Sequence, residues 1–243
     1  MGVPAIRGLL SDFRAAGSVF VRTGDFPLAA GALLHRRTSR RAFGGWVAGN
    51  SLRAWEYAWT MRQVAKHGAG SGAAVDFGAG KSPTPILLAR LGYKTSVVDS
   101  DQLDSEYSNE WQWVDYGQWG INTHKAGMED RLFDEGSLSV AISVSAIEHM
   151  PAKTRRHAID EISRAVRVGG LVVLTIDILP DGKHLWNFAV DEIEPEEVHG
   201  TIDAFADELQ KSGLRLISRK ACPMKGDSDQ LVEAFVLTRH EIS

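Results

Sequence analysis

The stretch AAVDFGAGKSPTPILLARLGYKTSVVD, residues 73–99, decides the fold. It sets a β-branched run (73–77) before a glycine turn, then a helix-period segment opened by Pro83 and Pro85, then a second run (95–99). Proline costs little in a first helical turn, because the N–H groups there have no partner within the helix. A strand, a crossover helix and a strand predict two parallel neighbours in an α/β sheet.

The same alternation continues along the chain. Short apolar runs predict strands at 121–125, 138–145 and 171–177. Between the last two, residues 152–166 have a helical period with one apolar face. The residues expected on the outer face of that helix are Arg155, Arg156, Asp160, Glu161 and Arg164.

The last part of the chain, residues 194–240, predicts antiparallel strands and not parallel ones. Residues 194–213 indicate a helix, with acidic residues in the first turn and a glycine past its end. The runs 214–221 and 231–240 follow, separated only by residues 222–230, which is too short for a parallel crossover. They should pair antiparallel, so we expect a seven-stranded, mostly parallel α/β sheet.

The region before the sheet has its own charge balance. Residues 1–72 predict a mostly helical extension of a sheet domain over 73–243, with one helix at 51–68. The extension carries +7 and the rest −11, which together give the chain its −4. The difference in charge favours a role for the extension as an active-site cap, as an element that binds the acceptor, or as a homodimer contact. The basic run at 35–41 leaves nucleic acid open as a partner, but the pI near 6.1 does not favour it.

Composition restricts the class of protein. The 243 residues are 44% hydrophobic and 24% charged, which is typical of a globular chain. Cys222 is the single cysteine and cannot form an internal disulfide. The sequence lacks both a signal-peptide pattern and an apolar run of about 18 residues. We therefore expect a cytoplasmic protein without a membrane span.

The glycine turn and a following acid predict a nucleoside cofactor. Gly78 and Gly80 let the backbone approach a ligand closely. Asp99 ends the second strand, 23 residues after Asp76, where a carboxylate can hold both ribose hydroxyls. The dinucleotide fingerprint lacks its third glycine and the P-loop pattern is missing, so neither NAD nor ATP is favoured.

Four segments match, in order and spacing, the motifs of the class I S-adenosylmethionine-dependent methyltransferases: VDFGAG (75–80), VVD (97–99), MEDRLFDEGSLSVAISVSAIEHM (128–150) and RVGGLVVLTI (167–176). The chain resembles the small-molecule branch of this family, which has a Glu-His pair after the fourth strand. The segment DYGQWGI (115–121) is similar to segments in methyltransferases of bacterial polysaccharide and sugar pathways. The resemblance implies a Rossmann-like sheet in the order 3-2-1-4-5-7-6, with strand 7 antiparallel.

The resemblance also implies the cofactor, S-adenosyl-L-methionine, and its binding residues. These are Asp76, Gly78 and Gly80 around the methionine part, Asp99 and Ser100 at the ribose, Met128 with Glu129 or Asp130 at the adenine, and Ser145 at the end of the fourth strand. Family members often carry an acid just before the position of Met128, where this chain has Gly127.

Methyl transfer to a hydroxyl needs a base, and Glu148 and His149 should lie where the methyl group emerges. His149 can accept a hydroxyl proton near neutral pH. The same pair can instead cap the next helix, and Asp177 is a second candidate base or metal ligand. His184 and His199 are expected at the surface.

Aromatic residues cluster at 100–120 and in the extension, as Trp111, Trp113, Tyr116, Trp119, Trp46, Trp55, Tyr57 and Trp59. Their rings can stack on a sugar or build a core between extension and body. Tyr57 is the candidate from the extension for closing over the cofactor.

The sequence thus predicts methyl transfer to a hydroxyl of a small molecule, with a sugar or oligosaccharide favoured. Transfer to a nitrogen or a phenol, transfer to RNA, and a non-catalytic cofactor-binding module stay open. A divalent metal held by Asp177 and neighbouring acids is also left open.

Overall fold

The computed structural model describes residues 51–80, 82–100, 116–186, 199–222 and 229–241. The basic run at 35–41 and the indole rings of Trp46, Trp111 and Trp113 lie outside these ranges. Their suggested roles stay predictions.

Within these ranges the chain forms helices on both sides of one sheet. The helices are α1 (Ser51–His67), α2 (Thr84–Arg90), α3 (Ala152–Ala165) and α4 (Ile202–Lys211). The strands are β1 (Ala73–Phe77), β2 (Lys94–Asp99), β3 (Asn122–Lys125), β4 (Leu138–Val144), β5 (Val166–Ile178), β6 (Leu214–Ala221) and β7 (Leu231–Arg239). Two short 3-10 helices cover Tyr116–Trp119 and Ile147–His149.

The strand order is β3-β2-β1-β4-β5-β7-β6. β7 pairs antiparallel with both β5 and β6, and the other neighbours are parallel. This confirms the expected sheet and its terminal hairpin. Because the order reverses between β1 and β4, the carboxyl ends of the central strands form a crevice where ligands bind in such sheets.

Among the described residues, two helices pack against each face of the sheet. Leu52, Trp55, Trp59 and Met61 of α1 join side chains of α2 and the central strands in one buried cluster. The rings of Trp55 and Trp59 stack, with centroids 5.8 Å apart. The opposite face is covered by α3 and α4. The helix at the end of the extension therefore belongs to the core of the sheet, while the division of the chain at residue 72 stays a prediction.

Two details differ from the sequence-based expectation. β5 begins at Val166, directly after α3, and not near residue 171. Arg155 was expected on the outer face of α3, but it is fully buried. Its guanidinium pairs with Glu208 of α4 at 2.8 Å and donates to the carbonyl oxygen of His199, and these partners compensate the cost of burying its charge.

No helix among the described residues is long and apolar enough to cross a membrane.

Candidate active site

The turn after β1 has the backbone geometry that the glycines predicted. Gly78 has φ +69° and Gly80 has φ +46°. A Cβ at position 78 would lie 2.4 Å from Ala146 Cβ and 2.6 Å from Met128 Cε, so only glycine fits there. The N–H of Gly80 donates to Asp99 Oδ2 at 2.7 Å. The structure thus brings Gly78, Gly80, Asp99 and Met128 together, as expected for one nucleoside site.

Asp76 lies beneath this turn and is 1% exposed. The hydroxyl of Thr84 donates to its Oδ2. Its Oδ1 is buried and has no hydrogen-bond partner among the residues that the structure describes. Burial raises the pKa of Asp76 to about 7, the Thr84 hydrogen bond opposes this rise, and the nearby Asp99 carboxylate adds to it. The carboxyl group therefore suits a cationic or hydrogen-donating ligand group.

Two tyrosines form hydrogen bonds with the turn. Tyr116 is 1% exposed, and its hydroxyl lies 2.8 Å from the carbonyl oxygen of Ser82 and 3.1 Å from that of Gly80. Tyr57 of α1 is equally enclosed and forms a hydrogen bond with the Ser82 side chain. This contact ties Tyr57 to the turn, and its suggested role of closing over the cofactor stays a prediction.

The loop after β3 carries the residues expected at the adenine. A Cβ at Gly127 would lie 2.5 Å from Glu129 Oε2 and 2.7 Å from Glu129 Oε1. The Glu129 carboxylate therefore occupies the space that a side chain at position 127 would fill. Its Oε2 is buried and accepts no hydrogen bond from any described residue. Asp130 instead accepts the Gly127 N–H at 2.8 Å, which ties it to the loop, and Ser100 is half-buried at the end of β2.

The ends of β4 and β5 bring together a carboxyl cluster. One potential ligand atom from each of Glu148, His149 and Asp177 lies within 4.8 Å of the other two. Glu148 is fully buried, and its Oε1 accepts the Asp177 N–H at 2.9 Å. Burial, with the Asp177 carboxylate beside it, raises the pKa of Glu148 well above its usual range. Burial therefore favours the neutral form of the Glu148 carboxyl group.

The imidazole of His149 is partly buried. Burial lowers the pKa of His149 to about 4, although the Asp177 carboxylate acts in the opposite direction. The ring is therefore neutral near pH 7, and burial makes it a weaker base than a free imidazole.

The structure corrects the expectation for His199, which is 7% exposed and not at the surface. Its Nδ1 lies 3.0 Å from the carbonyl oxygen of Glu148, and a carbonyl can only accept, so Nδ1 carries the proton. This contact holds the backbone immediately before His149. His184 is more accessible, with a side chain 19% exposed and paired with Asp181.

Two residues that sequence reasoning missed, Arg53 and Glu56, reach this cluster from α1. Arg53 pairs with Glu56 at 2.5 Å and with Asp177 at 2.7 Å. Glu56 is fully buried and accepts hydrogen bonds from the hydroxyls of Ser145 and Thr175. Burial raises the pKa of Glu56, while the Arg53 guanidinium opposes that rise.

The signal that could have revealed these residues is a polar stripe at helical spacing on α1. Arg53, Glu56, Tyr57 and Thr60 recur at the i, i+3, i+4 and i+7 positions that share one helix face. The last three are almost fully enclosed by the sheet. A polar face that packs inward indicates partners on the sheet, because buried polar groups need hydrogen bonds.

Ser145 links the cluster to the cofactor residues. It has φ +44°, an uncommon conformation for a residue other than glycine, and it follows β4 directly. Its hydroxyl oxygen contacts both Glu56 Oε1 and, at 2.9 Å, Asp177 Oδ1. Such strained backbone is frequent at functional sites.

The donor set of Glu148, His149 and Asp177 is also one that divalent metals accept. The guanidinium of Arg53 already places a cation against Asp177. Metal binding by Asp177 therefore stays an open prediction.

Comparison with known proteins found one matching family model. Residues 75–174 match the family model of a methyltransferase domain. No curated protein sequence matches the chain.

Three solved structures illustrate the likeness in fold. A Galdieria sulphuraria protein, provisionally described as a sarcosine dimethylglycine methyltransferase, is 12% identical over 76% of this chain and 85% of that chain, with a TM-score of 0.56. A geranyl diphosphate C-methyltransferase from Streptomyces coelicolor is 11% identical over 75% and 79%, with a TM-score of 0.53. The [4+2]-cyclase SpnF is 11% identical over 74% and 79%, with a TM-score of 0.54.

At such identities the solved structures show the fold alone, and the cyclase among them illustrates that one fold serves several reactions. The family match adds to this likeness in fold. Residues 75–174 thus resemble a methyltransferase domain, and the sheet that contains them has the Rossmann-like strand order that the sequence resemblance implied.

Proposed function

We propose that this protein transfers a methyl group from S-adenosylmethionine to a hydroxyl of a small molecule, with a sugar or oligosaccharide as the acceptor class and His149 as the general base. The observation that carries this proposal is the position of the His149 imidazole beside the Asp177 carboxylate at the end of the central strands. The similarity of DYGQWGI (115–121) to segments of saccharide methyltransferases supports the acceptor class.

A hydroxyl acceptor requires a base. S-adenosylmethionine would supply a methyl group on a positively charged sulfur. A hydroxyl oxygen that takes this methyl group loses its proton, and we assign its acceptance to His149. The Asp177 carboxylate stabilises the imidazolium that results, in the way that a carboxylate assists histidine in catalytic triads.

The cofactor residues fit the same proposal. Asp76, with its unsatisfied Oδ1 below the glycine turn, is suited to the methionine part. Asp99 accepts a hydrogen bond from the Gly80 N–H and is suited to bind the ribose hydroxyls. Glu129 presents a buried oxygen that needs a donor, which the amino group of adenine provides.

The acceptor can be identified directly. The protein would be incubated with methyl-labelled S-adenosylmethionine and with saccharide, amine-containing or RNA fractions from its source, and the products would be identified by mass spectrometry. Label in an ether carbon of a saccharide supports the proposal. Label on nitrogen or in RNA contradicts it.

The base is tested by the variants His149→Ala and His149→Asn. We expect turnover of a hydroxyl acceptor to fall by about 100-fold or more, which is typical for loss of a general base. Because His149 is not among the proposed cofactor contacts, the affinity for S-adenosylhomocysteine, measured by calorimetry, should stay within about twofold of wild type. Full activity in either variant contradicts the assignment of the base.

A further inference from the structure

The turn after β1 includes Gly80, and a glycine backbone has access to more conformations than that of any other residue type. The Ser82 N–H donates to the carbonyl oxygen of Ala79 at 2.7 Å and closes the turn, with Gly80 inside it at φ +46°. Ordering such a backbone on binding costs conformational entropy, which lowers the affinity for a ligand. Groups outside the turn that hold its shape in advance therefore strengthen binding.

The phenol of Tyr116 makes contacts of this kind. Its hydroxyl donates toward the carbonyl oxygen of Ser82, at 2.8 Å, and toward that of Gly80, at 3.1 Å. It has one proton to give, so the shorter bond to Ser82 takes the larger share. A single side chain from outside the turn thereby constrains the backbone of both Gly80 and Ser82.

Tyr116 is itself held firmly. Its side chain is 1% exposed and lies in the first turn of the 3-10 helix before β3. The buried apolar residues around it are Ala79, Ile86, Val97 and Ile121. Burial, with the Asp76 carboxyl group nearby, raises the pKa of the Tyr116 hydroxyl well above its usual range, so the hydroxyl keeps its proton. The turn thus has a fixed donor beneath it.

Gly80 joins this donor to the carboxylate proposed for the ribose. The N–H of Gly80 donates to Asp99 Oδ2 at 2.7 Å, and the carbonyl oxygen of Gly80 faces the Tyr116 hydroxyl. Both polar backbone atoms of Gly80 are therefore engaged. Loss of the hydroxyl would release one of them and loosen a contact that positions the Asp99 carboxylate.

We propose that Tyr116 is a positioning residue of the cofactor site, which holds the turn in its binding conformation before an S-adenosyl ligand arrives. The inference rests on the proposed cofactor role of Gly80 and Asp99, but it depends on neither the acceptor nor the base. Tyr116 acts through the backbone of the turn and not by touching the ligand. Removing its hydroxyl should therefore weaken binding by raising the cost of ordering the turn.

The first test measures the affinity for S-adenosylhomocysteine by calorimetry. Tyr116→Phe keeps the ring and removes only the hydroxyl, and its dissociation constant should rise by about fivefold, the value of one ordinary hydrogen bond. Tyr93 provides a matched control, because it is 5% exposed and its hydroxyl accepts the Gly70 N–H at 2.9 Å. Tyr93 precedes β2, at the end of the strand opposite to Asp99. Tyr93→Phe should keep the dissociation constant within about twofold of wild type.

The second test measures amide hydrogen exchange without ligand, in a peptide that contains the N–H groups of Gly80 and Ser82. Wild type should protect both groups, because each is hydrogen-bonded. Exchange in this peptide should be faster by about fivefold in Tyr116→Phe and unchanged in Tyr93→Phe. S-adenosylhomocysteine should restore the protection in Tyr116→Phe. A residue that contributed only to overall stability would change exchange throughout the sheet and not in the turn alone.

The outcomes separate this inference from the proposed function. Wild type that binds no S-adenosylhomocysteine overturns the proposed cofactor site, and the inference with it. Wild type that binds, with an unchanged dissociation constant in Tyr116→Phe, overturns the inference alone. Equal losses in Tyr116→Phe and Tyr93→Phe also overturn it, because affinity would then follow general stability. So does unprotected exchange of the turn in ligand-free wild type, since the turn would then form only on binding.

Discussion

At the scale of single residues, Asp76 shows how a binding site can lower the stability of the unliganded protein. Its pKa rises from 3.8 to about 7 on folding, mainly because of burial. Between these values the folded state holds a proton that the unfolded state releases. Asp76 therefore makes the unliganded protein less stable as the pH rises through this window.

We expect Asp76→Asn to remove this pH dependence. Between about pH 5.5 and about pH 8, the free energy of unfolding of wild type should fall by about 2 kcal/mol relative to the variant. Urea unfolding of both proteins without cofactor measures the difference. Asp203→Asn, where the side chain is 90% exposed, should show no such trend. An equal difference at both pH values would mean that the pKa of Asp76 is not raised.

At the scale of elements, the sequence predicted those parts whose pattern is local. A periodic or steric signal marks the run at 73–77, the prolines that open α2 and the short connection before β7. The structure confirms the strand, the helix and the terminal hairpin that these signals predicted. The inward polar face of α1 was missed, because its helical spacing does not reveal whether the polar face packs against the sheet or faces solvent. The partners of Glu56 lie just after β4 and on β5, about 90 and 120 residues further along the chain. For the same reason the sequence analysis placed Arg155 on the outer face of α3, although Arg155 packs inward and pairs with Glu208 of α4.

The loop after β3 leads to a prediction that Glu129 replaces an acid that is missing at position 127. At Gly127 the family often has an acid, and here the Glu129 carboxylate occupies that space. We expect Glu129→Ala to weaken S-adenosylhomocysteine binding by about tenfold or more, the usual value of a hydrogen bond to a charged group. It should also remove the preference over S-inosylhomocysteine, which has an oxygen in place of the adenine amino group.

Adding Gly127→Asp to Glu129→Ala should restore both affinity and preference. The nearest atoms around a Cβ at 127 all belong to Glu129, so the double variant has room for the new side chain. Calorimetry with the two nucleosides checks both expectations. Unchanged preference in Glu129→Ala would remove Glu129 from the adenine site.

At the scale of the whole molecule, α1 decides whether the chain divides at residue 72. Trp55, Trp59 and Met61 are at most 5% exposed and cover the face of the sheet formed by β1, β4, β5 and β7. The buried ion pairs of Arg53 join the same helix to β5. Removing α1 would expose a continuous apolar surface and leave Asp177 without its cation.

We therefore expect a chain of residues 73–243 to lack a cooperative unfolding transition and to aggregate, although all seven strands are retained. In the full chain, Trp59→Ala should lower the free energy of unfolding by about 3–5 kcal/mol, because a buried indole ring leaves a cavity. Lys66→Ala on the exposed side of α1 should change it by less than about 0.5 kcal/mol. Far-UV circular dichroism and tryptophan fluorescence, followed together in urea, measure both. If residues 73–243 fold cooperatively alone, α1 is an addition to a complete domain and not part of its core.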